Sequence, residues 1–455
     1  MSEREYAVVI NAGENLSEIE KELTSSTGTG PIPNRSVDIT NARPGSSRIT
    51  YFNLTDDEAT ELTKDTRILS VEIPVDQRTD ITIGKRSTQI SNFTKPSVVD
   101  SNIVNWGLKR SILETNEYGN QTTITNNYDF AVTGEGVDVV IQDSGIQANH
   151  PEFEDSNGVL RTVELDWYEA TNGVVAGTLP AGFYTDYDGH GTHCAGITSG
   201  KTYGHAKGSR IFSQKLAGLE GPTDPYSGMG IADIFDCIRI WHNNKPIDPI
   251  TGYKRPTVVN MSWGYTSTLS NTPTSGTFRG GTWNYGDSNF ASDANLRDNA
   301  GIIGKIFSSG TNRKIPLRIT SVDTDIQELI DAGIHVCISS GNSYYYTAAE
   351  GDQDWDNRVV INGVTYYYHR GGSPYDTEAF MVGSLDITYQ GGKEHKSEFS
   401  NCGPGVDIYA PGNNIMGASS DDSSGTNDMV SVDGYTRVAS PLNGSQWLMK
   451  VSGTS

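Results

Sequence analysis

Three short stretches of this 455-residue chain carry residue types that can move protons and attack a carbonyl. The first is Thr185-Asp186-Tyr187-Asp188-Gly189-His190-Gly191-Thr192-His193-Cys194-Ala195-Gly196. Glycines on both sides of His190 let the backbone crowd the ring. That suits an imidazole aimed at a partner, and imidazole is the side chain that exchanges a proton near neutral pH. A helix-capping loop with a satisfied histidine is the plainer reading of the same residues. His193 stands about one helical turn from Gly189 and need not reach the same site. The second stretch is Asp143-Ser144-Gly145, which ends the β-branched run Val137–Gln142. A carboxylate at the C-terminal end of a buried strand is where open α/β sheets place catalysts, although a turn aspartate bonding its own backbone also fits Asp-Ser-Gly. The third is Gly453-Thr454-Ser455, whose hydroxyl is a weak nucleophile until a base takes its proton.

Such groups need a rigid frame, and the chain supplies alternating strands and helices. Residues 5–76 predict a small α+β unit. It has strands at Tyr6–Ile10, Arg48–Leu54 and Ile68–Ile73, a helix over Leu16–Leu23, and a second helix opened by a capping box at Thr55 and Glu58. Residues 77–105 turn polar and predict a linker or surface-draped segment. Beyond it, strands are expected at 137–142, 256–262, 333–340, 380–384 and 406–410, with helices over 231–241 and 325–332. That alternation implies a parallel sheet with helices on both faces. The Ser/Thr/Gly/Asn-rich tract 265–308 has no strong periodicity and predicts an insertion with a surface role.

A net charge of -22 argues against nucleic acid as principal partner. No apolar run is long enough to span a membrane, and the N-terminus lacks the apolar stretch of a secretion signal, so a cytoplasmic or virion-associated setting is expected over Sec export. The four cysteines, Cys194, Cys237, Cys337 and Cys402, form no C-x-x-C pair and are expected as free thiols.

Taken in order, Asp143, His190 and Ser455 resemble the triad of the subtilisin-like serine protease family. Gly189-His190-Gly191-Thr192-His193-Cys194-Ala195-Gly196 is close to the proteinase K branch. Val258–Gly264, Ser340-Gly341-Asn342, Phe399–Gly403 and Tyr409–Gly412 match family segments in the same order. The resemblance implies a subtilisin-like α/β fold, a parallel sheet flanked by helices with a small N-terminal α+β prodomain, and a serine endopeptidase made as a self-processed zymogen. It assigns Ser455 as nucleophile, His190 as base, Asp143 as the group that orients the ring, and Asn342 as the oxyanion donor. Ser262, Trp263 and Gly264 would line one side of a substrate groove by backbone pairing, and Gly228 and Gly230 the opposite rim. Trp263 stands where smaller apolar residues are usual.

Cys194 is expected as a free thiol under the histidine. Residues 5–76, ending in Val71-Glu72, resemble the family's prodomain, an intramolecular inhibitor. Trp106-Gly107-Leu108 would open the peptidase domain, 106–455, with processing between Asp76 and Asn105. Polypeptides would be the substrates and no catalytic cofactor is expected. The family commonly carries structural calcium; Asp352, Asp354 and Asp356 are spaced like the start of a calcium loop but lack its sixth-position glycine.

Family members continue past the serine into a buried helix, so a domain truncated at Ser455 is expected to be nearly inactive alone. The acidity and the Thr/Ser/Asn-rich inserts also resemble subtilisin-like proteins of tailed bacteriophages. The alternative is therefore a virion or interaction scaffold with little turnover.

Overall fold

The structure, a computed structural model, describes residues 2–25, 31–33, 35–85, 106–111, 130, 132–219, 226–269, 272–302, 313–390, 393–421, 431–432, 435–436, 438–440, 442–443 and 445–455. The N-terminal unit consists of β1 (Arg4–Ile10), α1 (Leu16–Thr24), β2 (Ile39–Asn41), β3 (Ile49–Leu54), α2 (Asp56–Leu62) and β4 (Ile68–Glu72). Its sheet has the order β2-β3-β1-β4 and is antiparallel throughout. The period-two alternation of β1 and β3 makes two faces. Val8, Ile10, Phe52 and Leu54 pack on α1 and α2 through Ile19, Leu23 and Leu62. Ala7, Val9, Ile49 and Tyr51 face the other way and are buried with Ala232 of the larger domain. The expected capping box is present: Thr55 Oγ1 accepts from Glu58 N, and the Glu58 carboxylate accepts from Thr55 N.

Strand β5 (Ile81–Lys85) and helix α3 (Trp106–Arg110) lead into the larger domain. In chain order it contains β6 (Asp138–Asp143), β7 (Thr162–Val163), α4 (His190–Ser199), β8 (Arg210–Lys215), α5 (Ile231–Asn244), β9 (Thr257–Met261) and β10 (Trp263–Leu269). Next come β11 (Ser275–Phe278), β12 (Gly281–Asn284), α6 (Asp293–Ala300), β13 (Arg313–Pro316), α7 (Thr320–Asp331), β14 (His335–Ser339), β15 (Arg358–Ile361) and β16 (Val364–Tyr367). The last are β17 (Phe380–Gln390), β18 (Lys393–Lys396), β19 (Ile408–Pro411), β20 (Ile415–Ser419) and β21 (Trp447–Val451).

The central sheet runs β18-β17-β14-β9-β6-β8-β7, with β19 also on β17. Every pair in it is parallel except β17–β18. Both faces of β6 are covered, as its apolar run requires. Val140 joins the core under α5 and α7, while Val139 and Ile141 pack with Cys194 and Ala195 of α4. The expected parallel sheet with helices on both faces is what forms.

Two expectations need correction. The tract 265–308 is not a structureless insertion. Strands β11 and β12 and helix α6 come from it, and with β15 and β16 they form an antiparallel sheet in the order β12-β11-β15-β16. That sheet has its own core of Trp283, Leu296, Ala300, Val359, Ile361 and Tyr368, and Trp283 stacks on Phe290 with centroids 5.1 Å apart. The periodicity is hidden because the strands are four residues long and β11 is paired with residues 81 to 85 positions later in the chain, Thr277 with Arg358 and Ser275 with Val360. The segment 77–105 is not simply draped, since Ile81–Lys85 forms β5, antiparallel to β10. Residues 86–105 lie outside the described residues. No described helix is long and apolar enough to cross a membrane.

Candidate active site

Asp143 is the last residue of β6, buried at the C-terminal edge of the central sheet. Its Oδ1 accepts from Ser144 N at 2.7 Å, and the chain turns at Gly145 with φ 122°. Helix α4 begins against this turn so closely that a Cβ on Gly191 would lie 2.1 Å from the Gly145 carbonyl oxygen. Glycine at 191 is therefore a condition for bringing His190 to Asp143. The His190 Nδ1 lies 2.8 Å from Asp143 Oδ1, and both side chains are buried. With Nδ1–H donating to the carboxylate, Nε2 is the basic nitrogen. Burial is the largest single influence and opposes a charge on this ring, but the Asp143 carboxylate and the Cys194 sulfur together outweigh it and hold His190 well above its ordinary 6.5.

Asp186, which sequence reasoning passed over, fixes the relative position of the two strands of this corner. Its Oδ1 accepts from Ser144 Oγ at 2.9 Å and Gly189 N at 2.8 Å, and its Oδ2 from Thr192 N at 2.8 Å and Thr192 Oγ1 at 2.6 Å. One buried carboxylate thus ties the turn after Asp143 to the first turn of α4. The N-cap position of α4 is Gly189 itself, so Asp186, three residues earlier, carries no capping signal in the sequence.

His193 belongs elsewhere. Its Nε2 lies 3.2 Å from the Met449 carbonyl of β21, and burial pushes its value down to about 4, so it is a neutral donor in the frame. Cys194 is a buried free thiol with Sγ 3.8 Å from His190 Nδ1, beneath the ring as expected. The other three cysteines are free as well. Among the described residues, Asp143, His190 and Cys194 form the one cluster of three potential metal donors within 4.8 Å. Its Asp–His axis is already closed by a hydrogen bond, which suits a base and its orienting acid better than a metal cage.

The residues 452–455 are moored from two sides. Ser452 Oγ donates to Asn413 Oδ1 at 3.0 Å, and Gly453 N to the Gly412 carbonyl at 2.7 Å. Asn342, just past β14, accepts from Thr454 N and Thr454 Oγ1, both at 2.9 Å, through Oδ1. Those two bonds settle the amide's orientation and make Nδ2 its donor end. Ser455 and His190 line one small cavity of about 30 Å³ with Gly412, Ser452 and Gly453. A larger cavity of about 460 Å³ also reaches Ser455, walled by Cys194, Ile197, Asn260, Cys337 and Ser339.

On the groove side, β5 already lies along β10, with Lys85 opposite Trp263, Gly84 opposite Gly264 and Ile83 opposite Tyr265. The chain direction carries Lys85 toward the C-terminal edge of the sheet, where β9 ends at Met261 and Ser262 follows. Ser262 is buried and its hydroxyl accepts from Asn260 Nδ2 at 2.9 Å. The Trp263 side chain is fully buried in the core beside Phe235 and Tyr265, so the backbone of this residue, and not its indole, faces the paired strand. On the opposite side, Met229 between Gly228 and Gly230 pairs with Leu216 after β8. A Cβ on Gly228 would lie 2.5 Å from Ala217 N, whereas Gly230 opens α5 and meets nothing within 4 Å.

Asp352, Asp354 and Asp356 are not brought together. Asp354 is buried and paired with Arg279 at 2.8 Å, Asp352 accepts from Tyr346 Oη at 3.0 Å, and Asp356 pairs with Arg370 at 2.6 Å. Each carboxylate satisfies a separate partner, and the three are not among the described groups of metal donors lying within 4.8 Å of one another.

A sequence model described as the Subtilase family matches residues 134–455. Subtilisin-like protease 5 of Arthroderma benhamiae is 28% identical over 322 residues, covering 70% of this chain and 54% of its own. Subtilisin-like serine protease Pen c 2 of Penicillium citrinum is 23% identical over 341 residues, covering 74% and 53%. The chain thus spans about half the length of these curated relatives. Among solved structures, fervidolysin from Fervidobacterium pennivorans, a keratinolytic enzyme related to subtilisin, aligns with 100% of this chain and 52% of its own at 16% identity and TM-score 0.48. A cold adapted subtilisin-like serine proteinase aligns at 20% identity and TM-score 0.41, covering 78% and 80%.

Proposed function

The chain belongs to the subtilase family, and from that premise we propose that it is a serine endopeptidase acting through Asp143, His190 and Ser455. The observation that carries this reading is the buried Asp143–His190 pair at 2.8 Å, whose ring shares a cavity with Ser455. In the proposed step Ser455 Oγ attacks the carbonyl carbon of a peptide bond and its proton passes to His190 Nε2. Asp143 keeps the opposite nitrogen protonated and stabilises the imidazolium. Asn342, its oxygen occupied by Thr454, presents Nδ2 to the developing oxyanion. The same imidazolium then protonates the leaving amine, and water attacks the acyl-enzyme in a second round.

The N-terminal unit is read as a prodomain that keeps the groove closed until it is cut. The support is the pairing of β5 with β10, the edge a substrate strand would use. Processing is expected between Asp76 and Asn105, and past Lys85, because the chain is still paired up to that residue. Polypeptides are the proposed substrates and no catalytic cofactor enters the reaction.

A fluorophosphonate probe that acylates activated serines tests the assignment. Labelling confined to Ser455, and abolished by His190→Ala, is expected. The probe is applied to the protein from the longest reading frame that contains this sequence, after the N-terminal unit has been cut off and removed; an unlabelled, fully folded protein there would overturn the enzyme reading in favour of a scaffold.

A further inference from the structure

The α5/α7 face that carries the N-terminal unit is built around one arginine. Arg43 is 1% exposed. Its guanidinium donates to both oxygens of Asp236 on α5, at 3.1 and 2.9 Å, and to Asp325 on α7, at 2.8 and 3.4 Å. The backbone that presents it is unusual for its residue type: Arg43 has φ 43°, in the left-handed region that favours glycine. Pro44 and Gly45 follow, and a Cβ on Gly45 would lie 2.8 Å from Asp236 Cγ, so the turn presses directly on the carboxylate it engages. The next residues continue the contact. Ser47 N and Ser47 Oγ both donate to Glu328 Oε1 at 2.9 Å, and Arg239 bridges Glu328 and Asp236 while also donating to the Gly45 carbonyl.

On this face the carboxyls of Asp236, Asp325 and Glu328 stand against Arg239, and Arg43 supplies a second cation. Burial pushes Asp325 up to about 7, against the pull of Arg43. Strained backbone persists where surrounding contacts over-determine it: Arg43 N donates to Asn41 Oδ1 and Ser46 N to the Arg43 carbonyl within the unit, while the guanidinium is held by the other domain. Arg43 and its two carboxylates are at most 3% exposed at their side chains, so each would be left as a buried or newly hydrated charge if the other were lost.

We propose that the turn Arg43-Pro44-Gly45 is the recognition anchor by which the N-terminal unit is held on its own peptidase domain, and that the partner this α5/α7 face selects is an arginine offered on a tight left-handed turn. The N-terminal unit therefore stays bound after the connecting chain is cut. A related unit with another residue at this position is a poor ligand for this domain. The inhibitory consequence rests on the zymogen reading above; the binding itself does not.

The test uses the full chain carrying Ser455→Ala, with a specific-protease sequence inserted between Arg86 and Asn105. After cutting, the association of the two parts is followed over a dilution series by size exclusion. The unit with Arg43 is expected to co-elute, and Arg43→Met to raise the dissociation constant at least about a hundredfold, the range for orphaning a buried charge. Arg35→Met, which removes an arginine paired with Glu58 inside the unit, is expected to change it by less than about threefold.

Should Arg43→Met unfold the N-terminal unit, the helix-side changes Asp236→Asn and Asp325→Asn leave that unit intact. Each is expected to weaken binding at least about tenfold. Binding within threefold of the parent for the folded Arg43→Met chain, or for both helix-side variants, overturns the proposal. Because Ser455 is absent from every sample, failure of the protease reading leaves this result standing, and the reverse also holds.

Discussion

At the scale of single residues, the Asp143–His190 pair makes two demands that can be measured. Asp143→Asn keeps the shape but loses the charge that fixes the Nδ1–H tautomer. Turnover is expected to fall about 10⁴-fold with substrate affinity little changed. The pH profile follows from the same contact. Burial works against charging His190, and the Asp143 carboxylate with the Cys194 sulfur overrides it, so the ring titrates well above 6.5. Only the neutral ring can accept the Ser455 proton. Activity should therefore rise with pH, with its midpoint above 6.5, and the midpoint should move down in Asp143→Asn as far as residual activity can be followed. For stability the sign is opposite. A raised folded value contributes stability that is complete below the unfolded value of 6.5 and lost as pH climbs through the folded one. Asn342→Ala removes the amide aimed by Thr454 and is expected to lower turnover about 10²–10³-fold, read as kcat in a steady-state peptide assay.

At the scale of elements, α4 is the member whose placement decides the site. It enters where Gly191 meets Gly145 and runs under β20 where a Cβ on Gly196 would lie 2.5 Å from Ala418 N. Gly191→Ala is expected to cost roughly 2–3 kcal/mol or more, because the obstacle is backbone, and to lower activity beyond that loss by pushing His190 away from Asp143. Thermal unfolding and turnover measured together check both halves.

The accessory sheet gives a separate test. Asp354 is tied to Arg279 at 2.8 Å and to Asn357 at 2.7 Å, and is not turned toward Asp352 or Asp356. Asp354→Asn is expected to lower Tm by a few degrees while leaving any shift of Tm with added calcium the same as in the parent. A calcium response lost in that variant would restore the loop as a metal site.

These elements also show what sequence could and could not reveal. β6, α5 and β14 were legible because each buries a continuous apolar run or stripe, and Asp143, His190 and Asn342 sit at strand or helix ends where backbone punctuation marks them. The capping box at Thr55 was legible for the same local reason. β11 and β12 were not, since their burial is supplied by β15, β16 and α6 and leaves no period in four residues. Asp186 was overlooked because its four hydrogen bonds join Ser144 to Gly189 and Thr192, a relation across about 40 positions. The acidic triplet at 352–356, whose spacing also fits a solvated acidic loop, is a case of the converse kind. Its spacing is local, but the partners that pull the carboxylates apart, Arg279 and Arg370 among them, are not.

At the scale of the whole molecule, the two domains meet through the sheet face packed on Ala232, through the buried Arg43 network on α5 and α7, and through β5 on β10. The Arg43 network ties the N-terminal unit to α5 and α7, and β5 runs along β10 as far as Lys85, opposite Trp263. On the zymogen reading the protein cuts itself between Lys85 and Asn105. The most direct measurement is the intact mass of the purified protein over time, beside its Ser455→Ala form. Loss of an N-terminal piece ending between Lys85 and Asn105 in the parent alone is the predicted result. Both forms remaining at full mass, with the fold intact, would contradict it.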